Sequence, residues 1–283
     1  LVAYVDGSAS PYDLRFAGVG ALGVLINTPS QTLPWGEPGL SPYESYVNNG
    51  VAYVSLGNGL VSIMQPTFSL PGRGLAVAPT LFYEEPGAFA GTTGSSPFKY
   101  DNFTLSSIAP GWSLDLPWLG AYAVHLPGGQ QYPYDWNGTD MQVHGPVDFE
   151  LTSSGGGGAC PCVLTLPSGV EYSFNAAKQL ISESDPIGVN TITFSYGSNG
   201  LLSFITDSVG RQVTFGYDSS NRLASMTAPG GRTWAFSYIG SQLSVTDPVG
   251  RTTVFKYAST PGGGWLLGEV NYPTGGGKVT LSY

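Results

Sequence analysis

Charge is scarce in this chain. Ten Lys and Arg and nineteen Asp and Glu make up only 10% of its 283 residues, where a soluble domain usually carries about 25%. The net charge of −9 argues against nucleic acid or an anionic membrane as partner, because both attract a positive field. Long apolar runs are also missing. The stretch GVGALGVLI at 18–26 falls short of the roughly 18 residues that a spanning helix needs, so membrane insertion is not expected. Helical periodicity is nearly absent. The segment at 175–179 reads as a helical turn too short to stand alone.

Reactive residues are few. The two histidines, His125 and His144, sit apart and are expected to be structural or exposed. No nucleophile elbow, phosphate loop, dinucleotide fingerprint or paired-histidine motif occurs. No catalytic residue, cofactor or metal is therefore expected. Cys160 and Cys162 are the only cysteines. They supply two of the four ligands a structural zinc site needs, so a disulfide, internal or between subunits, is expected instead.

What the chain has in excess is glycine (41), proline (22) and aromatics (13%). Disorder would need low hydrophobicity and high charge, and the chain has neither. Many short strands joined by tight turns fit this composition. A repeat confirms the reading from 169 onward. Its units close on Tyr196, Tyr217, Tyr238 and Tyr257, at spacings of 21, 21 and 19 residues, and a decayed copy follows at 277–283. The recurring positions are Gly210, Arg211, Phe215 and Tyr217, then Gly231, Arg232, Phe236 and Tyr238, then Gly250, Arg251, Phe255 and Tyr257. Phe and Tyr two apart share a strand face. Asp, Pro and Gly between strands provide a capping side chain, a fixed φ and a positive φ. A repetition of about 20 residues means hairpins that must stack, since one hairpin alone buries too little to be stable.

The expected organisation has three parts: an N-terminal arm at 1–45 that could lend a strand, a β-rich opening domain at 46–158, and hairpin repeats at 159–283. The glycine run at 155–158 reads as a flexible hinge or a disordered excursion. Asp115 is expected to help hold the corner at Trp112. Tyr132, Tyr134 and Trp136, flanked by Asp135, Asp140, Asp148 and Glu150, read either as a glycan-binding platform or as loop aromatics packed on the sheet. A pair of acids across a cleft could also hydrolyse sugars, the least favoured option. Sequons at Asn102 and Asn137, the scarcity of Lys and the cysteine pair point to a secreted or cell-surface glycoprotein. The chain starts at Leu1 without an initiator Met, and a processed N-terminus is the expectation.

The order Gly-Arg, Phe-x-Tyr, Asn-x-Leu, Asp-Pro-x-Gly over 169–283 resembles the YD repeat of the Rhs family, which includes insecticidal toxin-complex shells and teneurins. SLPGRGL at 69–75 and PGWSL at 110–114 are similar to that family's opening segment. The resemblance implies an all-β fold: a β-rich N-terminal part, then a curled antiparallel sheet of hairpin repeats, usually non-catalytic and exported. Family shells use many more repeats. Asp185-Pro186 and Asp247-Pro248 fall in ordinary repeat turns, so neither protease nor toxin activity carries over. The expected function is therefore a non-catalytic structural protein that associates with copies of itself through sheet edges and the arm, as a filament or surface assembly. The alternatives are the N-terminal portion of a longer shell chain, or a glycan-binding adhesive module.

Overall fold

A computed structural model describes residues 61–84, 108–109, 111–120, 123–128, 130–138, 140–144, 148–259, 265–273 and 277–281, and places strands at 2–5, 13–17, 43–47 and 51–55. In chain order the strands begin with β1 (Val2–Val5), β2 (Asp13–Ala17), β3 (Tyr43–Val47), β4 (Val51–Ser55), β5 (Val61–Pro66), β6 (Thr80–Glu84), β7 (Trp112–Leu114) and β8 (Trp118–Leu119). Then come β9 (Ala123–Leu126), β10 (Gln130–Trp136), β11 (Met141–Val143), β12 (Glu150–Ser153), β13 (Cys162–Thr165), β14 (Glu171–Phe174), β15 (Leu180–Ser184) and β16 (Thr191–Tyr196). The last are β17 (Leu202–Thr206), β18 (Gln212–Tyr217), β19 (Leu223–Thr227), β20 (Thr233–Ile239), β21 (Gln242–Thr246), β22 (Thr252–Ser259), β23 (Trp265–Asn271) and β24 (Lys278–Leu281). The chain is all-β, as expected.

Strands β3 to β7 form a five-stranded antiparallel sheet. The other nineteen make one sheet: β8 to β24 follow each other as a meander, then β2 adds to β24 and β1 to β2. The β2–β24 pairing is parallel, with Leu14 in register with Val279. The N-terminal arm therefore joins the repeat sheet of its own chain.

The register explains the curl. Phe194 faces Ile205, which faces Val213. Two residues further along that strand, Phe215 faces Met226, which faces Trp234. Two further, Phe236 faces Val245, which faces Thr253. Each hairpin is thus offset from the last by two residues, roughly 7 Å of strand rise. A steady stagger of this kind tilts the strands and makes a sheet coil instead of lying flat. All nine of these residues are buried. The opposite face carries Thr206, Gln212, Thr227, Thr233, Thr246 and Thr252, cross-linked by hydroxyl hydrogen bonds such as Thr227 to Thr233 at 3.0 Å and Thr246 to Thr252 at 2.9 Å.

The opening segment packs against the buried face of the repeats. Trp112, 1% exposed, packs at a tilt against Phe255 with ring centroids 4.5 Å apart. Phe68 meets Trp234 at 4.7 Å. The hydroxyl of Tyr83 accepts the Leu267 amide at 3.3 Å. One hydrophobic core runs from Val61 to Leu281.

Three expectations change here. The boundary near 158 is crossed by the sheet, because β12 pairs with β13. The glycine run is an ordered turn and not a hinge: Gly156–Gly158 make a 3₁₀ turn in which Gly156 and Gly157 are exposed, while a Cβ on Gly158 would sit 2.8 Å from the Trp136 ring. Residues 175–179 are a hairpin turn, not helix. Asn175 Oδ1 accepts the amides of Ala177 and Gln179, and Lys178 takes φ 61°, so the side chain offers the backbone an alternative to the helix.

Candidate functional site

The repeat turns are built from one device. The backbone closes a five-residue loop, as in Asp207 N to Arg211 O at 3.0 Å and Gly210 N to Asp207 O at 3.0 Å. The fourth residue takes positive φ, 85° at Gly210 and 86° at Gly250, where a Cβ would be strained. The Asp carboxylate then fills the loop. Asp207 Oδ1 accepts the amides of Val209 and Arg211, and its Oδ2 accepts Arg211 Nε at 2.6 Å. Asp247 holds Arg251 in the same way, and Asp218 holds Arg222. In the first unit Asn190 replaces Arg and donates to Asp185 at 2.5 Å. Burial alone would raise the carboxyls of Asp207, Asp218 and Asp247, but the hydrogen bonds from their arginines outweigh it and hold them below the ordinary value.

The closing tyrosines fasten one unit to the previous one. The hydroxyls of Tyr196, Tyr217 and Tyr238 donate to the carbonyls of Leu180, Leu202 and Leu223 at 2.8, 2.8 and 2.9 Å. Burial pushes all three phenols up. The SLPGRGL segment docks on these turns. Arg211 Nη2 donates to Pro71 O at 2.6 Å, and Gly74 lies against Asp185 and Asn190. The two sequence motifs thus meet in space, a contact that the 140-residue separation hid from the sequence.

Asp207→Ala would leave two turn amides and Arg211 without their acceptor. The expected loss is about 2 kcal/mol, read as a lowered denaturant midpoint at unchanged slope. An unchanged midpoint would deny the turn its role.

A cleft of about 290 Å³ opens where β5 and the following Thr67 approach the third and fourth repeat turns. Arg232, Trp234, Asp247, Arg251 and Thr253 line its repeat side, and Gln65 and Thr67 its other side. Sequence reading did not find it, because its walls come from segments far apart in the chain.

Of the two readings of Tyr132, Tyr134 and Trp136, the two tyrosines follow the packed one and not the glycan platform. Tyr132 and Tyr134 are buried, the first edge-on to Phe149 at 4.7 Å. Tyr134 donates to Gly120 O at 2.8 Å and accepts from Lys178 Nζ at 2.7 Å. Only Trp136 is exposed, at 39%. The alternating pattern of β10 was legible, but which face would be covered was not. Asp135 pairs instead with His144 at 3.2 Å on the surface. His125 is stacked flat on Trp118 at 3.4 Å, and burial lowers its pKa to about 4. Asp115 accepts the Gly128 amide at 2.6 Å; burial raises its carboxyl and this bond opposes the rise. Cys160 and Cys162 are bridged to each other and buried. Asn137 stands exposed in the turn after β10, and Asn102 lies outside the described residues. Among those residues no group of three or more His, Cys, Asp or Glu could hold a metal ion, and no helix is long and apolar enough to cross a membrane.

A staggered meander, turns closed by Asp–Arg pairs and tyrosines reaching back one hairpin define the chain as a β-hairpin repeat protein. The repeat is of the Rhs type: residues 198–233, from the turn before β17 to the start of β20, match the family model RHS Repeat. No curated protein matches the chain. Among solved structures, a chain of the TcdB2-TccC3-TEV crystal structure is similar over 84% of this chain at 12% identity, with a TM-score of 0.27. This chain spans 12% of that chain's length.

Proposed function

We propose that the chain is a non-catalytic structural protein, a wall segment of an exported Rhs-type shell whose opening segment fills the curl of its own first repeats. The observation that carries this reading is the contact of Trp112, Tyr83 and Phe68 with Phe255, Leu267 and Trp234. The aromatic surface that stacked hairpins must hide is covered by the same chain. The repeat acids support a structural role, because Asp207, Asp218 and Asp247 are each engaged within their own turn. The buried disulfide favours an oxidising, extracellular setting, where the exposed Asn137 would be open to glycosylation.

The second reading is self-association, in which the β2–β24 pairing made within one chain is exchanged between copies. A copy of the chain offers the same strand edge, so an exchanged arm would link copies and, without closure, build a filament. Cysteines at Arg15 and Thr280, which are in register, separate the two. A chain carrying both is expected to cross-link internally at monomer mass. Covalent dimers or ladders from a mixture of Arg15→Cys and Thr280→Cys chains would overturn the wall reading in favour of assembly.

A further inference from the structure

Two departures from the repeat fall in one unit and face one cleft. The first is in the turn at 228–232. Its backbone closes as in the other turns, with Ala228 N to Arg232 O at 2.8 Å and Gly231 N to Ala228 O at 3.1 Å. Where the others have an Asp, however, this turn has Ala228. Arg232 therefore lacks the carboxylate that holds Arg211, Arg222 and Arg251. It makes no ion pair among the described residues and is exposed. The second departure is Trp234, which stands where the neighbouring units place Ile192, Val213 and Thr253. It is buried against Phe68. Arg232 and Trp234 both line the cleft of about 290 Å³, together with Gln65, Thr67, Arg251 and Thr253.

The neighbouring turns show what this geometry takes. Each places a carboxylate oxygen 2.6 to 2.7 Å from a guanidinium nitrogen, a charge-assisted pair stronger than a neutral hydrogen bond. At Arg232 the chain withholds that carboxylate and leaves room in front of it. The flanking Asp247 does not compensate, because it is held by Arg251 and by the amides of Val249 and Arg251. The planar guanidinium suits a bidentate carboxylate, and a large aromatic wall beside it suits a flat or ring-shaped body. The volume lies at the small end of ligand sites, which begin near 300 Å³. It accommodates one ring and not a stretch of polymer. The net charge of −9 also disfavours a polyanion, whereas a single negative charge responds mainly to the nearby guanidinium, since more distant charges are screened over about 8 Å.

We propose that this cleft binds a small ring-bearing monocarboxylate. Its carboxylate takes, on Arg232, the place that Asp207 and Asp247 fill in their own turns, and its ring lies beside Trp234.

The test is a titration of the full chain with benzoate and with D-glucuronate, followed by the NMR signal of the Trp234 indole N–H. That signal is assigned by its loss in Trp234→Phe. Benzamide and D-glucose are the uncharged controls. A saturable shift with at least one acid and with neither control is expected, and which acid acts tells an aromatic acid from an acidic sugar. Ala228→Asp restores the internal partner and is expected to weaken binding at least tenfold without lowering the melting temperature. The equivalent Asp185 and Asp207 are already accommodated at 7% and 6% exposure. Arg232→Gln is expected to weaken binding to the same degree. No saturable shift with either acid, or undiminished binding in Ala228→Asp and Arg232→Gln, overturns the proposal.

Discussion

Trp112→Ala is expected to lower stability by about 3–5 kcal/mol, the usual cost of deleting a large buried aromatic. Trp112 is 1% exposed and sits between Tyr83 and Phe255, with ring centroids at 5.5 and 4.5 Å. It joins the five-stranded sheet to the repeat sheet. Guanidinium unfolding followed by fluorescence and circular dichroism would measure the change. Ile239→Ser, at a site 76% exposed, is the control and should stay within about 0.5 kcal/mol. A Trp112→Ala loss no larger than the control's would mean that the two sheets do not depend on each other, and the wall reading would fall with it.

Acid is expected to destabilise the chain in two phases. The first belongs to His125. Burial against Trp118 pulls its pKa from 6.5 down to about 4. Between these values the unfolded chain binds a proton that the folded chain refuses, so stability is intact above about pH 6.5 and falls until about pH 4. At about 1.4 kcal/mol per pKa unit, the loss reaches roughly 3 kcal/mol. The second phase belongs to the repeat turns. Asp207, Asp218 and Asp247 are held below the ordinary 3.8 by hydrogen bonds that outweigh their burial. Their contribution is present above that value and is lost as pH falls further. Burial raises the carboxyls of Asp115 and Glu183. Protonation relieves that cost in the folded chain, so these two offset part of the first phase. Melting temperatures of the wild type and His125→Phe from pH 7 to 2 separate the contributions. The variant should lose the fall between 6.5 and 4 and keep the one below. Parallel curves would show that His125 is not the group that titrates.

Turn residues and strand residues differ in how much of their role the sequence shows. The roles of Asp207 as a turn cap and Gly210 as its positive-φ residue were legible because both act within five residues, whereas Arg211 was legible only as a recurring position and its pairing with Asp207 came from the structure. Phe215 and Tyr217 were legible as one face of a strand because side chains alternate. The same alternation grouped Tyr132, Tyr134 and Trp136, but it could not say that another part of the chain covers the first two. Asn175 looked like the start of a helical turn because local propensity does not weigh a side-chain cap against sheet pairing on both sides.

The sequence by itself determined that the chain is a run of hairpins, where each one turns, and that the hairpins must hide an aromatic face, because period and turn chemistry are local properties. Only the tertiary structure decided what hides that face. It brought Asp13–Ala17 alongside Lys278–Leu281, set Trp112 on Phe255, and opened a cleft at Arg232. These contacts join segments separated by tens to hundreds of residues, and they depend on shape and burial, which no local pattern encodes.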